Sequence, residues 1–289
     1  MPLPICYLNG DYLPLAEARV SPLDRAFLFA DAVYEVVPVY DERPFRLREH
    51  LERLTRSLSG IRMQPPLSHV EWSEVCRQLI TRNGGGNQYL YIQVTRGAEY
   101  GRNHAWGEEL KPTLFAYATA LETPSAELLD RGVSAVTAAD IRWARRDIKS
   151  TALLANVLLK KLATDVGAFE TLLLENGALT EGSSTTVHVI MQGAIHTPPN
   201  GHHILPGTTR DVVSELARRL GVNSQTIRIG ETQLRKADEI WLAFSTRGIL
   251  PVTSLDGKAV GNGEPGPLFK RMYAAFLDYI LELAGTPPL

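Results

Sequence analysis

One of the seven lysines in this 289-residue chain stands where neither a helix nor a finished strand accounts for it. Lys149 lies within ADIRWARRDIKSTALLAN, after the strand-like alternation of VSAVTAAD (133–140) and before the helical composition of STALLANVLLKKLATDVG, for which Ser150 reads as the N-cap. Junctions between elements present side chains to pockets more readily than to cores. Lys160, Lys161, Lys236 and Lys270 fall on expected helices, Lys258 follows an Asp-Gly turn and Lys111 precedes a proline. Arg145 and Arg146 crowd the approach to Lys149, and neighbouring cations would lower the proton affinity of its amine and make it a nucleophile toward a carbonyl. A solvated or ion-paired lysine is the competing account.

Three further runs set small polar groups at the ends of apolar strands. In LTEGSSTTVHVI, Glu181 precedes a glycine and four hydroxyl residues, a composition that suits close approach to a ligand and equally a polar hairpin turn. In ILPGTTRDVV, Gly207, Thr208 and Thr209 open a helix whose positive end suits a phosphate, although an ordinary threonine cap would use the same residues. FSTRG places Ser245 and Thr246 where the strand EIWLAFS meets a loop. An amine that condenses with an aldehyde, a carboxylate that keeps a ring nitrogen protonated and hydroxyls around a phosphate together meet the needs of pyridoxal 5′-phosphate, whose pyridinium stores the electrons of a carbanion.

The elements that must position these residues are legible in the pattern. Asn9-Gly10 marks a hairpin, AVYEVVPVY a strand and DERP a turn, and RLREHLERLTRSLSGI and the segment capped by Ser68 and Glu71 are helices. QYLYIQVTR and TLFAYATA read as strands, and so do short runs around Asn176-Gly177 and Gln192-Gly193 and the run DEIWLAFST. TTRDVVSELARRLGV is a helix ended by Gly221, and a last helix covers about 267–283. A dip at ALETPSAELLDRG divides the chain into 1–122 and 123–289. An apolar content of 44% and a formal charge of −2 allow a full-sized core and argue against nucleic-acid or membrane-surface partners. No run reaches the roughly 18 apolar residues of a membrane span, the N-terminus has no leader pattern, and Cys6 and Cys76 read as small buried residues without metal spacing, all consistent with a cytoplasmic protein.

DRAFLFADAVYEVV, EHLERL, DIKS, LTEGSSTTV, LPGTTRDVV and AFSTRGILPV, in that order over nearly the whole chain, resemble the class IV aminotransferases, the fold-type IV pyridoxal-phosphate enzymes. The resemblance implies an α+β protein: a small α+β domain, a larger pseudobarrel domain and the cofactor between them, in a homodimer with shared active sites. It also implies that Lys149 carries the cofactor and shuttles the proton, Glu181 pairs with the pyridine nitrogen, Arg53, Thr208, Thr209 and Ser245 hold the phosphate, and Leu205 packs on the ring. Within the family, QVTRGAEYGRNHAW looks like the D-amino-acid aminotransferase pattern, in which Arg102 and His104, together with Tyr34, trap the substrate carboxylate; Glu35 supports that site and Thr246 borders it.

The substrates so implied are a D-amino acid and a 2-oxo acid. L-branched-chain aminotransferases and aminodeoxychorismate lyases share the cofactor residues and differ in the substrate pocket, so they remain the alternatives. A non-catalytic binder would not need Lys149 and Glu181 together. If the trap arginine is buried, leaving it unpaired costs on the order of 3 kcal/mol, enough for about a hundredfold preference for one enantiomer. Arg247 either points inward as a second carboxylate binder or outward into water.

Overall fold

Asn9 and Gly10 take positive φ (53° and 109°) and fold Pro2–Leu8 back onto Asp11–Pro14, with Tyr7 opposite Tyr12. Asp41 and Glu42 do the same (48° and 64°) between Ala32–Tyr40 and Arg43–Pro44. Positive φ at both central residues gives a turn whose twist matches that of the flanking strands. The computed structural model describes residues 1–108 and 110–284, in two compact units, one containing Met1–Glu122 and Ile148–Leu153, the other Thr123–Asp147 and Leu154–Glu282.

In the first unit, the described residues form a six-stranded antiparallel sheet in the order Asp11–Pro14, Pro2–Leu8, Thr113–Ala120, Gln88–Thr95, Ala32–Tyr40, Arg43–Pro44. The helices Leu47–Gly60 and His69–Arg82 supply Leu51, Leu54, Leu58, Trp72, Cys76 and Leu79 to a core shared with Val33, Val37, Leu90, Ile92 and Ala116. Ser68 Oγ accepts from the Glu71 N–H while Glu71 Oε2 accepts from the Ser68 N–H, so the capping box forms.

Ser150 does not cap a helix. The helix starts at Leu154, and Ser150 is buried in an antiparallel bridge with Val33. The N–H of Tyr34 donates to the Lys149 carbonyl (2.9 Å) and the N–H of Thr151 to the Ala32 carbonyl (3.0 Å). Arg43–Pro44 pairs only with Val39 and Tyr40, so the start of Ala32–Tyr40 has an edge to satisfy, and Lys149–Thr151 satisfies it.

The second unit is a curled nine-stranded sheet among the described residues, ordered Ser224–Thr226, Ala194–Thr197, Thr186–Met191, Glu239–Phe244, Gly248–Leu255, Val133–Ala139, Glu170–Glu175, Ala178–Gly182, with Lys258–Ala259 beside Gly248–Leu255. Ala178–Gly182 is buried at every position, as are the first five residues of Thr186–Met191 and of Glu239–Phe244, so the two-residue alternation of a half-wet strand is absent there. Gly248–Leu255 escaped the sequence pattern because Pro251, which cannot donate to a ladder, lies at its centre opposite Trp241.

Gly97, at φ +102°, follows the strand Gln88–Thr95, and a Cβ there would lie 2.0 Å from the Lys111 carbonyl oxygen. Gly97→Ala is therefore expected to cost about 2 kcal/mol or more, read as a fall in the urea midpoint at constant slope.

Candidate active site

The first unit gathers one set of the expected residues. Lys149 is half-buried, with its Nζ 4.3 Å from the Tyr34 ring centroid and its N–H donating to Ser57 Oγ (3.1 Å). Of the two arginines in ARRD, Arg145 binds Asp147 through two nitrogens (3.0 Å each) and Arg146 binds Glu175 (2.9 Å). Both guanidiniums are already committed to carboxylates.

Ser57 belongs to a stripe of the helix Leu47–Gly60 of which the sequence reading named only Arg53. His50, Arg53 and Ser57, at spacings of three and four, are all buried on one face. Glu35, fully buried on the neighbouring strand, accepts from Arg53 Nε (2.6 Å) and Nη2 (2.9 Å), and lies 2.8 Å from His50 Nδ1. Burial alone would raise the Glu35 carboxyl, but the Arg53 charge and hydrogen bonds outweigh it and hold the group well below the usual carboxylate range. Burial lowers the His50 imidazole, against the pull of Glu35. Arg53, expected at a phosphate, thus has its guanidinium plane set by Glu35, and Glu35 supports Arg53 directly.

Arg102 and His104 lie together on an exposed loop. The Arg102 guanidinium is 4.9 Å from the Phe29 ring centroid, and the His104 ring is 5.2 Å from the same ring. In the single chain Arg102 keeps its hydration, so the hundredfold discrimination expected of a buried, unpaired guanidinium does not follow from this chain by itself. Tyr34 stacks on Tyr91 at 5.6 Å.

The second unit holds the other set. Glu181 is buried and accepts from Arg142 Nη1 (2.6 Å) and from the Leu205 N–H (3.3 Å). Arg142 also forks onto Asp140, whose Oδ2 accepts from Thr180 Oγ1 (2.8 Å). Burial pushes the Glu181 carboxyl up to about 6, with Arg142 pulling the other way. Thr208 and Thr209 are buried at the start of the helix Thr208–Arg219, whose N-cap is Gly207, so no N-cap side chain covers its first N–H groups. A Cβ at Gly207 would lie 2.6 Å from Thr186 Oγ1, so this approach is closed to any larger residue without a shift. Ser245 and Thr246 are half-buried in the turn after Glu239–Phe244, while Arg247 points outward, its Cζ 5.7 Å from the Phe169 ring centroid. The sequence reading also passed over Arg142 and Asp140, although both lie in the quoted ADIRWARRDIK.

The family model for class IV amino-transferases matches residues 32–255. The chain belongs to the class IV aminotransferases. It is 39% identical to the D-alanine aminotransferase of Bacillus licheniformis over 279 residues, 96% of this chain and 98% of that one. With the D-alanine aminotransferase of Staphylococcus haemolyticus the identity is 36%, over 95% of this chain and 97% of that one. Among solved structures, the branched-chain amino acid aminotransferase of Escherichia coli superposes with a TM-score of 0.89 at 28% identity, covering 96% of this chain and 94% of that one.

Class IV aminotransferases use pyridoxal 5′-phosphate, and the donor chemistry present in each unit fits it. A lysine amine lies over a tyrosine ring in one unit; in the other are a buried carboxylate and a helix start with two buried threonines. The carboxylate is the informative part. Because its pKa is raised from 4.5 to about 6, the cofactor-free protein binds an extra proton at Glu181 between those values relative to the unfolded chain. The contribution is complete below 4.5 and is lost as pH rises through 6, a loss of about 2 kcal/mol. In urea titrations of cofactor-free protein from pH 4.5 to 7, the difference in stability between Glu181→Gln and the wild type is expected to move by about that amount in favour of the glutamine variant. A pH-independent difference would contradict it.

Proposed function

We infer that this chain is a pyridoxal-phosphate-dependent transaminase that moves the amino group of a D-amino acid to a 2-oxo acid by a ping-pong cycle. The observation that carries this reading is the 39% identity with a D-alanine aminotransferase over nearly both full chains. The branched-chain enzymes share the fold at lower identity, 28% for the Escherichia coli protein, and that alternative is correspondingly less supported.

The cofactor supplies the electron sink that makes the α-proton of the amino acid acidic. Lys149 Nζ would hold the cofactor at rest and, once the substrate amine has displaced it, would be the free amine that takes up and returns that proton. Glu181 holds a positive charge on the ring nitrogen, and Arg142 and the Leu205 N–H hold Glu181. Arg53, oriented by Glu35, binds the phosphate with Thr208, Thr209 and Ser245, and Leu205 packs against the ring. Arg102, His104 and Tyr34 hold the α-carboxylate, with Thr246 beside them. D-alanine and D-glutamate are the proposed donors, and pyruvate and 2-oxoglutarate the acceptors.

The working unit in this reading is a homodimer with shared active sites. The helix Leu154–Asp165 exposes Leu154, Val157, Leu158 and Leu162, a stripe that a second copy would cover. A cytoplasmic location fits the two free, buried cysteines, and no described helix is long and apolar enough to cross a membrane.

Borohydride treatment should fix the cofactor to Lys149 alone in a peptide map; Lys149→Ala should bind it without a covalent link and show no half-reaction. Loaded enzyme should react with D-alanine about a hundredfold more efficiently than with L-leucine, whereas equal efficiencies would restore the branched-chain reading. Leu158→Glu should shift the sedimentation mass from dimer toward monomer, and a monomeric wild type would remove the shared-site proposal.

A further inference from the structure

The motif DRAFLFAD holds charged residues that the proposed roles leave unused. Asp24 caps the short helix Arg25–Phe29: its Oδ1 accepts from the Ala26 N–H (2.9 Å), and its Oδ2 accepts from Thr95 Oγ1 (2.8 Å) and Thr113 Oγ1 (2.7 Å). The helix is thereby tied to the ends of two neighbouring strands. From it the buried Arg25 turns two of its three guanidinium nitrogens onto one loop and the third onto Asp31. Nε donates to Asp31 Oδ2 (2.9 Å), Nη1 to Glu99 Oε2 (3.0 Å) and the Asn103 carbonyl (2.7 Å), and Nη2 to the His104 carbonyl (2.9 Å). The Arg25 N–H itself donates to the Gly97 carbonyl (2.9 Å).

Both ends of the loop 97–104 are thus held by one residue. Glu99 extends the hold, since its Oε1 accepts from the Gly107 N–H (3.0 Å). The Arg25 guanidinium is also 4.8 Å from the Phe29 ring centroid, the ring against which Arg102 and His104 rest. Asp31 stays paired on its other side with Arg96, which reaches the Ile61 carbonyl and lies 4.0 Å from the Trp106 ring centroid.

We propose that Arg25 is a positioning residue for carboxylate recognition: by binding the backbone carbonyls of Asn103 and His104 and, through Glu99, the loop between them and Gly97, it sets the Arg102 and His104 side chains at the spacing a single carboxylate requires. The proposal rests on the reading of Arg102 and His104 as the carboxylate trap. A guanidinium is needed because four acceptors lie around a planar fork; an ammonium is a point charge on a flexible stem and cannot reach them together. Exposed loops lose defined geometry without such ties, and a displacement of about 1 Å can cost up to a hundredfold.

The test uses cofactor-loaded enzyme and propanoate, an unreactive monocarboxylate whose binding is measured by calorimetry. Arg25→Lys keeps a cation beside Asp31, which also retains Arg96. It is expected to weaken propanoate binding about tenfold and to raise KM for D-alanine by the same factor, with kcat within about twofold and the cofactor spectrum unchanged. Glu99→Gln, less buried, should weaken propanoate about threefold, and it carries the test if Arg25→Lys does not fold. Arg102→Leu is measured in parallel. Wild-type affinity in Arg25→Lys, or in Glu99→Gln should that carry the test, with lost affinity in Arg102→Leu, would overturn the positioning role and leave the trap intact. Wild-type affinity in Arg102→Leu would overturn the trap and, with it, this proposal.

Discussion

The three-residue pairing of Lys149–Thr151 with the start of the strand Ala32–Tyr40 is the constraint on which the placement of Lys149 depends. Two backbone hydrogen bonds, from the Tyr34 and Thr151 N–H groups, hold a segment that arrives from the far side of a sequence division. A lysine placed by its own side chain would have to commit its ammonium to a partner. Here the main chain does the placing, aided by Ser57, and the amine is left over the face of Tyr34. A junction that satisfies a sheet edge therefore also decides where the lysine amine lies.

Three buried or partly buried carboxylates show how differently the fold treats one chemical group. Glu35 meets Arg53 and His50, and Asp31 meets Arg25 and Arg96; burial would raise both, and in both the arginine charges and hydrogen bonds win. These carboxylates are anions at any working pH and act as struts, one orienting a helix side chain and the other shared by two arginines around the Arg102 loop. Glu181 is treated otherwise. Its single guanidinium, Arg142, is divided with Asp140, and burial prevails, so its carboxyl lies above the ordinary value. A carboxylate short of positive charge is one that gains most from a further cation, and a pyridinium is such a cation. Arginine does this work at each of these carboxylates because its planar fork satisfies two or three acceptors at once.

By itself the amino-acid sequence determined most of the local structure, because the governing signals are local. Asn9-Gly10 turns the chain by its own backbone preference, Ser68 and Glu71 cap a helix within one turn, and the strands Ala32–Tyr40 and Thr113–Ala120 follow from their own composition. The motifs also pointed to the family and to pyridoxal phosphate, since the residue types needed for that chemistry recur in a fixed order along the chain. What only the tertiary structure decided involves partners distant in sequence. Ser150 looked like a helix cap, and became a sheet residue because Val33, 117 positions away, has an edge to fill. Arg146 finds Glu175, a partner 29 positions away that its own neighbours do not announce. Pro251 disguised a central strand, and Arg25 gave no sign of its grip on the carbonyls of Asn103 and His104, because a backbone acceptor has no letter of its own. Charge pairing and edge satisfaction are settled by proximity in space, and spacing along the chain predicts that proximity only within a turn or two of helix or across a tight hairpin.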